Sequence, residues 1–538
     1  MLPLSLGTLL LASLSTRPAA DTVPLYTDLG SYHRPISTRV PKAQQYFDQG
    51  LRLVFGFNHG EAIRAFDEAA RLDPNCAICH WGTAYAYGPH VNAGMDSAAG
   101  VAAYAAAQRA VALLAHASPV EQALIRAVSK RYAPLPPTDR AALDSAYARA
   151  MADVVKQFPT DLDAAALYAE ALMDLRPWNY WKPDDGTPYP DTETIVAQLE
   201  RVLAQNPSHP GACHYFIHAV EAVAPEKAVP CAERLAALMP GAGHMVHMPA
   251  HIYIRVGRYA DAIEANVHAT HADEVYIEGQ KPQGVYPLGY YPHNYHFLSF
   301  AATLAGRSAQ AIEAAKKTAA STSYDIAKQV PILEPFVIYG FLTYVTFGRW
   351  EALLALPLPP ADLTYSRGMA QYARGVALAA TGRWPEAQAA LDTVKQIGAA
   401  SPQAYAAAGW VTPNTNLQIA AHVLAGEIAA RQGQLEAAIA HFREAIKLED
   451  ALLYFEPPDW YYPVRHSLGA VLLKAGRPAD AEQAYREDLK RFPENGWSLF
   501  GLAQALHAQG KHTEAAQVDA RFRRAWQGAD VSLTASRF

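Results

Sequence analysis

Apolar positions in this chain recur three or four residues apart, the spacing of one helix face, and alanine supplies much of that stripe. Between residues 57 and 74, small Ala62, bulky Phe66 and small Ala69 fall on one side of a predicted helix. Pro74 ends it, because proline has no amide hydrogen to continue the ladder. The same grammar returns downstream at Gly257-Arg258-Tyr259-Ala260, Gly348-Arg349-Trp350, Gly382-Arg383-Trp384-Pro385 and Gly476-Arg477-Pro478-Ala479, with further turn glycines at Gly306, Gly433 and Gly510. Glycine suits these turns because it adopts the left-handed conformation that closes a helix. Gly476 and Gly510 stand 34 residues apart, and Pro493 ends the helix between them. The pattern predicts a series of antiparallel helix pairs.

A helix pair with this small-bulky-small spacing and closing proline resembles the tetratricopeptide-repeat family, whose unit is about 34 residues. The resemblance implies an all-α solenoid over roughly residues 40 to 527, here as an exported, bacterial-type member with a histidine-rich groove. The expected organisation is a signal peptide at 1–20, an extended segment at 21–39, N-terminal repeat helices at 40–175, histidine-rich central repeats at 176–330, C-terminal repeats at 331–527 and a tail at 528–538. Pro- and Tyr-rich insertions interrupt the repeats at 176–190, 279–292 and 456–463. In a solenoid such insertions gather on one face. Asn179, Tyr180, Trp181, Tyr189, Tyr286, Tyr290 and Tyr291 make two of them candidate lids.

Composition narrows the partners. Hydrophobic residues are 51% and charged residues 18% of the 538, and the net charge is −6 without a Lys/Arg stripe, so the electrostatic footprint of a nucleic-acid binder is missing. Residues 1–14 are almost wholly apolar and run into Ser15-Thr16-Arg17-Pro18-Ala19-Ala20, a pattern that reads as a secretory signal and places the protein in the periplasm or outside the cell. No Lys or Arg precedes that run, so a start further upstream or a short buried helix are the other readings. No later stretch reaches the ~18 uninterrupted apolar residues of a membrane span.

Histidines carry the candidate chemistry. His214 and His218 stand four apart, and His247 and His251 repeat that spacing 33 residues on, so both pairs take the same place on consecutive repeats. Residues four apart share a helix face, from which two imidazoles can converge on one ion. The resemblance implies that the second, fifth and ninth residues of each first helix face the groove. Counted back from Gly257, those places hold His244, His247 and His251. Counted from Gly306, His293 and His296 are second and fifth, while Glu221, Glu170 and Asp174 add carboxylates on the same side. The seven histidines are the expected metal ligands, Glu221 and Glu170 ligands or proton acceptors, and Arg255 an orienting group for an anionic substrate.

Imidazole donors suit Zn, Cu, Fe and Ni. Two clusters, each a His-x-x-x-His with a third histidine (His209 or His244), are similar in spacing alone to coupled dicopper sites. Copper is therefore favoured, with zinc or iron as alternatives, and the expected activity is metal-dependent oxidation, hydrolysis being the lesser one. A peptide- or protein-binding scaffold without catalysis is the rival, and the groove would take a small molecule, a peptide or a protein partner. Cys76-Ala77-Ile78-Cys79-His80 has the string of c-type haem attachment, but a packed repeat helix claims those residues, so haem is disfavoured against a Cys76/Cys79 pair or buried thiols. Cys213 and Cys231 are either a bridge or free thiols. His466, Trp81, Tyr85, Tyr372 and Trp497 also fall at inward places. Phosphate loops, nucleophile elbows and the His-Glu-x-x-His string are absent.

Overall fold

A computed structural model describes residues 23–183, 185–282, 284–401 and 413–538. The expected signal segment lies outside the described residues. Among these residues there is no β-strand, only two isolated bridges, and the fold is an all-α repeat solenoid. No described helix is long and apolar enough to cross a membrane. The chain divides into two compact units, one running to Ile252 and including His268–Tyr286, the other Tyr253–Val267 with Pro287–Phe538.

In the first unit, helix Pro41–Phe55 packs on His59–Leu72, which packs in turn on Ala77–Ala86. Further on, Leu162–Met173, Thr192–Gln205 and Pro210–Val220 stack in the same manner. The small-bulky-small rule has a direct steric cause. The buried ring of Phe66 fills the space beside Gly50 and Gly82, where a side-chain carbon would overlap it. Burying such a ring contributes roughly 1.5–3 kcal/mol. Polar ends are closed locally: Asn58, Asp96 and Asp161 each accept an amide of the following helix's first turn, and Ser118 with Glu121 forms a capping box.

The second unit holds the most regular pairs: Tyr291–Leu304 with Ser308–Ala320, Thr364–Ala380 with Trp384–Ala400, Pro413–Arg431 with Leu435–Asp450, Val464–Lys474 with Pro478–Arg491, and Gly496–Ala508 with His512–Ala525. All seven turn glycines read from the sequence have φ between 63° and 80°. The residue after each donates back across the turn, as in Arg383 N to Leu378 O at 2.8 Å, Arg477 N to Leu472 O at 2.9 Å and Lys511 N to Leu506 O at 3.0 Å. These six-to-one bonds satisfy carbonyls that the helix end leaves open.

Candidate metal centre

The site in the first unit begins at a turn that breaks the glycine rule. After helix Pro41–Phe55, the residue with a left-handed backbone is Phe57, φ 55°, and Asn58 N closes the turn on Leu53 O at 2.9 Å. A bulky residue in this conformation is strained by about 1–2 kcal/mol. Its ring lies among histidines: 4.3 Å from His90, 4.4 Å from His214, 5.6 Å from His244 and 6.1 Å from His218, between centroids. The end of the same helix leaves the Phe55 carbonyl free to accept the Nδ1 proton of His214 at 2.6 Å.

Helix Pro210–Val220 supplies His214 and His218, with Glu221 at its end; helix Gly243–His247 supplies His244 and His247; and His251 follows on Pro249–Arg255, which restarts where Pro249 has no amide to give. These six side chains are buried, none more than 4% exposed. The Nε2 atom of His214 is 3.1 Å from that of His218 and 3.1 Å from that of His244. His247 and His251 face each other through Nε2 at 2.9 Å. Glu221 stands behind both groups, one oxygen accepting from His218 Nδ1 at 3.1 Å and the other from His251 Nδ1 at 2.7 Å.

These contacts decide where the protons are. A carbonyl oxygen only accepts, so His214 carries its proton on Nδ1 and presents a bare Nε2. Burial pushes the Glu221 carboxyl up, but the imidazoles of His251 and His218 outweigh it and hold it at about 2. Glu221 is thus an anion that only accepts, and His218 and His251 also carry their protons on Nδ1. Neutral His214 and His218 then point two lone pairs at each other across 3.1 Å. That arrangement repels unless a cation lies between them. A proton is a poor candidate: burial drives His214 well below the ordinary imidazole value, and burial lowers His218 against the pull of Glu221.

A metal ion meets the requirement. Ligand nitrogens about 2.0–2.1 Å from a tetrahedral ion are roughly 3.3 Å apart, close to the observed spacing. Donor atoms of His214, His218 and His244 lie within 4.8 Å of one another. Ligating histidines ordinarily give their second ring proton to a carbonyl or carboxylate, which fixes the tautomer; Phe55 O and Glu221 do this here. Trp178, from the 176–190 insertion, packs edge-on to His218 at 5.0 Å and donates its indole N–H to Asn92 Oδ1 at 2.9 Å.

The other sequence candidates are held differently. Glu170 accepts from Tyr85 Oη at 2.7 Å and sits in a buried network with Asp174 and Arg131, where burial raises its pKa against the pull of Arg131. His209 caps its own helix by accepting from Ala212 N and turns Nε2 to Asp163 at 3.2 Å, so His244 is the third histidine of the first cluster. In the second unit, His296 packs edge-on against Tyr339 at 4.1 Å, burial alone lowering it to about 3. Arg255, also there, donates to Arg491 O at 3.2 Å, pairs with Glu456 at 3.9 Å and lies over Tyr454. Of the expected lids, Trp181 donates to Ala219 O and Tyr286 to Asp273. Cys76 and Cys79 are joined as a disulfide, which commits both sulfurs, and Cys213 and Cys231 are buried free thiols in contact.

Sequence reasoning missed Phe57, His90 and Trp178. Only the glycine-to-phenylalanine exchange at a repeat turn could have signalled them.

Family models described as tetratricopeptide repeat match residues 419–451 and 467–530. No curated protein matches the chain. Among solved structures, the human IFIT1 dimer with m7Gppp-AAAA is similar at 13% identity over 85% of this chain and 90% of that one, with a TM-score of 0.34. The human IFIT1 dimer with PPP-AAAA gives 13% over 90% and 89%, with a TM-score of 0.32. At such scores the likeness carries no functional argument. The two matched segments are tetratricopeptide repeats, set within a chain whose described residues are all-α.

Proposed function

We propose that this protein is a repeat scaffold for protein or peptide partners whose first unit is organised around a bound transition-metal ion. The observation that carries the metal is the pair of facing Nε2 atoms of His214 and His218, both left without a proton by what their Nδ1 atoms bind. His244 completes a three-nitrogen set, and Glu221 orients rather than ligates. The scaffold half rests on a different observation, the repeats matched at 419–451 and 467–530.

Copper is the ion we favour for an all-imidazole set, since it tops the affinity order of the first-row divalent metals; zinc and iron are the alternatives. Bound copper would supply one-electron chemistry, and bound zinc Lewis acidity. His214, His218 and His244 would hold the ion, Phe55 O and Glu221 fix the imidazole tautomers, and burial keeps water away. The metal reading is tested by elemental analysis of protein purified without a histidine tag. About one ion per chain is expected, lost in His214→Ala/His218→Ala while the helical circular dichroism is kept. Metal-free protein that refuses Cu, Zn and Fe on titration would sink it. An oxidase assay of the copper-loaded protein tests the oxidoreductase reading separately.

A further inference from the structure

In the second unit, the segment after the last repeat helix turns back across the first helices of the preceding repeats. Asp530 fastens it, accepting Ser308 N at 2.6 Å and Ala309 N at 2.9 Å. Residues 531–538 then run without regular structure to a cleft formed by inward-facing residues, among them His466 and Trp497, which the repeat register had placed there. Ser536, 2% exposed, donates to His466 O at 2.8 Å and meets Tyr485 Oη at 2.7 Å. The Arg537 guanidinium pairs with Glu427 at 2.6 Å and donates to Tyr462 Oη at 2.6 Å and Ser467 Oγ at 2.9 Å. Phe538 sets its ring edge-on to Trp497 at 5.7 Å, and its main-chain oxygen accepts from Arg431 at 3.1 Å.

We infer that this cleft is a peptide-docking site read as hydroxyl, arginine, aromatic, and that residues 532–538 occupy it in cis as a competitor of partner segments with the same chemistry. The inference rests on the scaffold half of the reading above and not on the metal. The receptor groups come from several separate repeats, whereas the occupant is one short segment without regular structure. Glu427 is a buried carboxylate, 6% exposed; one oxygen lies 3.6 Å from Arg431 of its own helix, and the other makes the shorter pair, 2.6 Å, with an arginine that arrives on that segment. Without Arg537, Glu427 keeps the longer Arg431 pair, and its other oxygen with the two hydroxyls forms a site for another guanidinium. A tethered segment acts at an effective concentration on the order of millimolar. A free peptide of equal chemistry is therefore excluded from the intact chain until the segment is drawn away.

The probe is a fluorescent peptide of residues 531–538, followed by anisotropy on the full chain, on a chain ending at Val531 and on the full chain with Arg537→Ala/Phe538→Ala. The last variant covers the case in which shortening disturbs folding. Binding at least tenfold tighter to both variants than to the full chain is expected, and Glu427→Ala added to either should abolish it. Equal binding to all three would overturn cis competition while leaving the scaffold reading standing. Folded variants that bind no peptide would overturn the docking site itself and leave the segment as a structural strap.

Discussion

Phe57 takes the left-handed turn that glycine takes at seven later repeat turns, and its ring stands 4.4 Å from that of His214. The backbone strain and the ring position belong together: the turn aims Phe57 at the histidines and ends the helix so that Phe55 O meets His214 Nδ1. Replacing Phe57 should cost about 3–5 kcal/mol through the lost ring. The order of replacements is diagnostic. Phe57→Gly should be more stable than Phe57→Ala by about 1 kcal/mol, the reverse of their usual ranking, because only glycine takes this φ without strain. Thermal melts of the two variants check it, and alanine ranking first would contradict the turn.

Glu221 holds two imidazoles at once, so its amide replacement is informative. In Glu221→Gln one side-chain atom still accepts, but the other donates and turns one histidine to the tautomer with its proton on Nε2. Metal affinity should fall about 10- to 100-fold, as for lost outer partners of ligands elsewhere. Stoichiometry at saturation should stay that of the parent. Competition titration against a chelator of known affinity measures both.

Trp178 lies 5.0 Å from the His218 ring, within quenching range of an ion held by that imidazole. Copper should quench part of the tryptophan emission, whereas zinc, having no redox or open-shell states, should not. Trp178→Phe should remove the quenched part and leave the remaining emission insensitive to copper. Undiminished quenching in that variant would place the ion elsewhere.

Glu449 gives a pH dependence separate from the metal. Burial, opposed by Arg491 and Arg465, raises its carboxyl from 4.5 to about 8, and its Oε2 accepts from Val464 N at 3.2 Å. Between those values the folded protein binds more protons than the unfolded chain, so stability falls as pH rises through the window and levels off above it. Glu449→Gln keeps an acceptor and removes the penalty. It should match the parent near pH 5 and exceed it near pH 9 by an amount on the order of a few kcal/mol, as read from denaturant unfolding at both pH values.

The amino-acid order by itself determined the helix pairs and the closing turns. Alanine spacing, Phe66 and the glycines at 257, 306, 348, 382, 433, 476 and 510 are local signals, and each acts within one repeat. The twin His-x-x-x-His pairs were legible for the same reason, because four residues span one turn of one helix. Tertiary structure alone decided which rings meet and which nitrogen of each carries the proton. His209 and His244 were equal candidates along the chain, yet one faces Asp163 and the other His214. Phe55 O, 159 residues from His214 along the chain, and Glu221 shared between two helices set the tautomers. Such partners are brought by the stacking of repeats, whose inter-repeat contacts leave no periodic mark in the sequence. Arg537 on Glu427 belongs to the same class, since where an extended segment settles depends on a buried charge that only the assembled helices create.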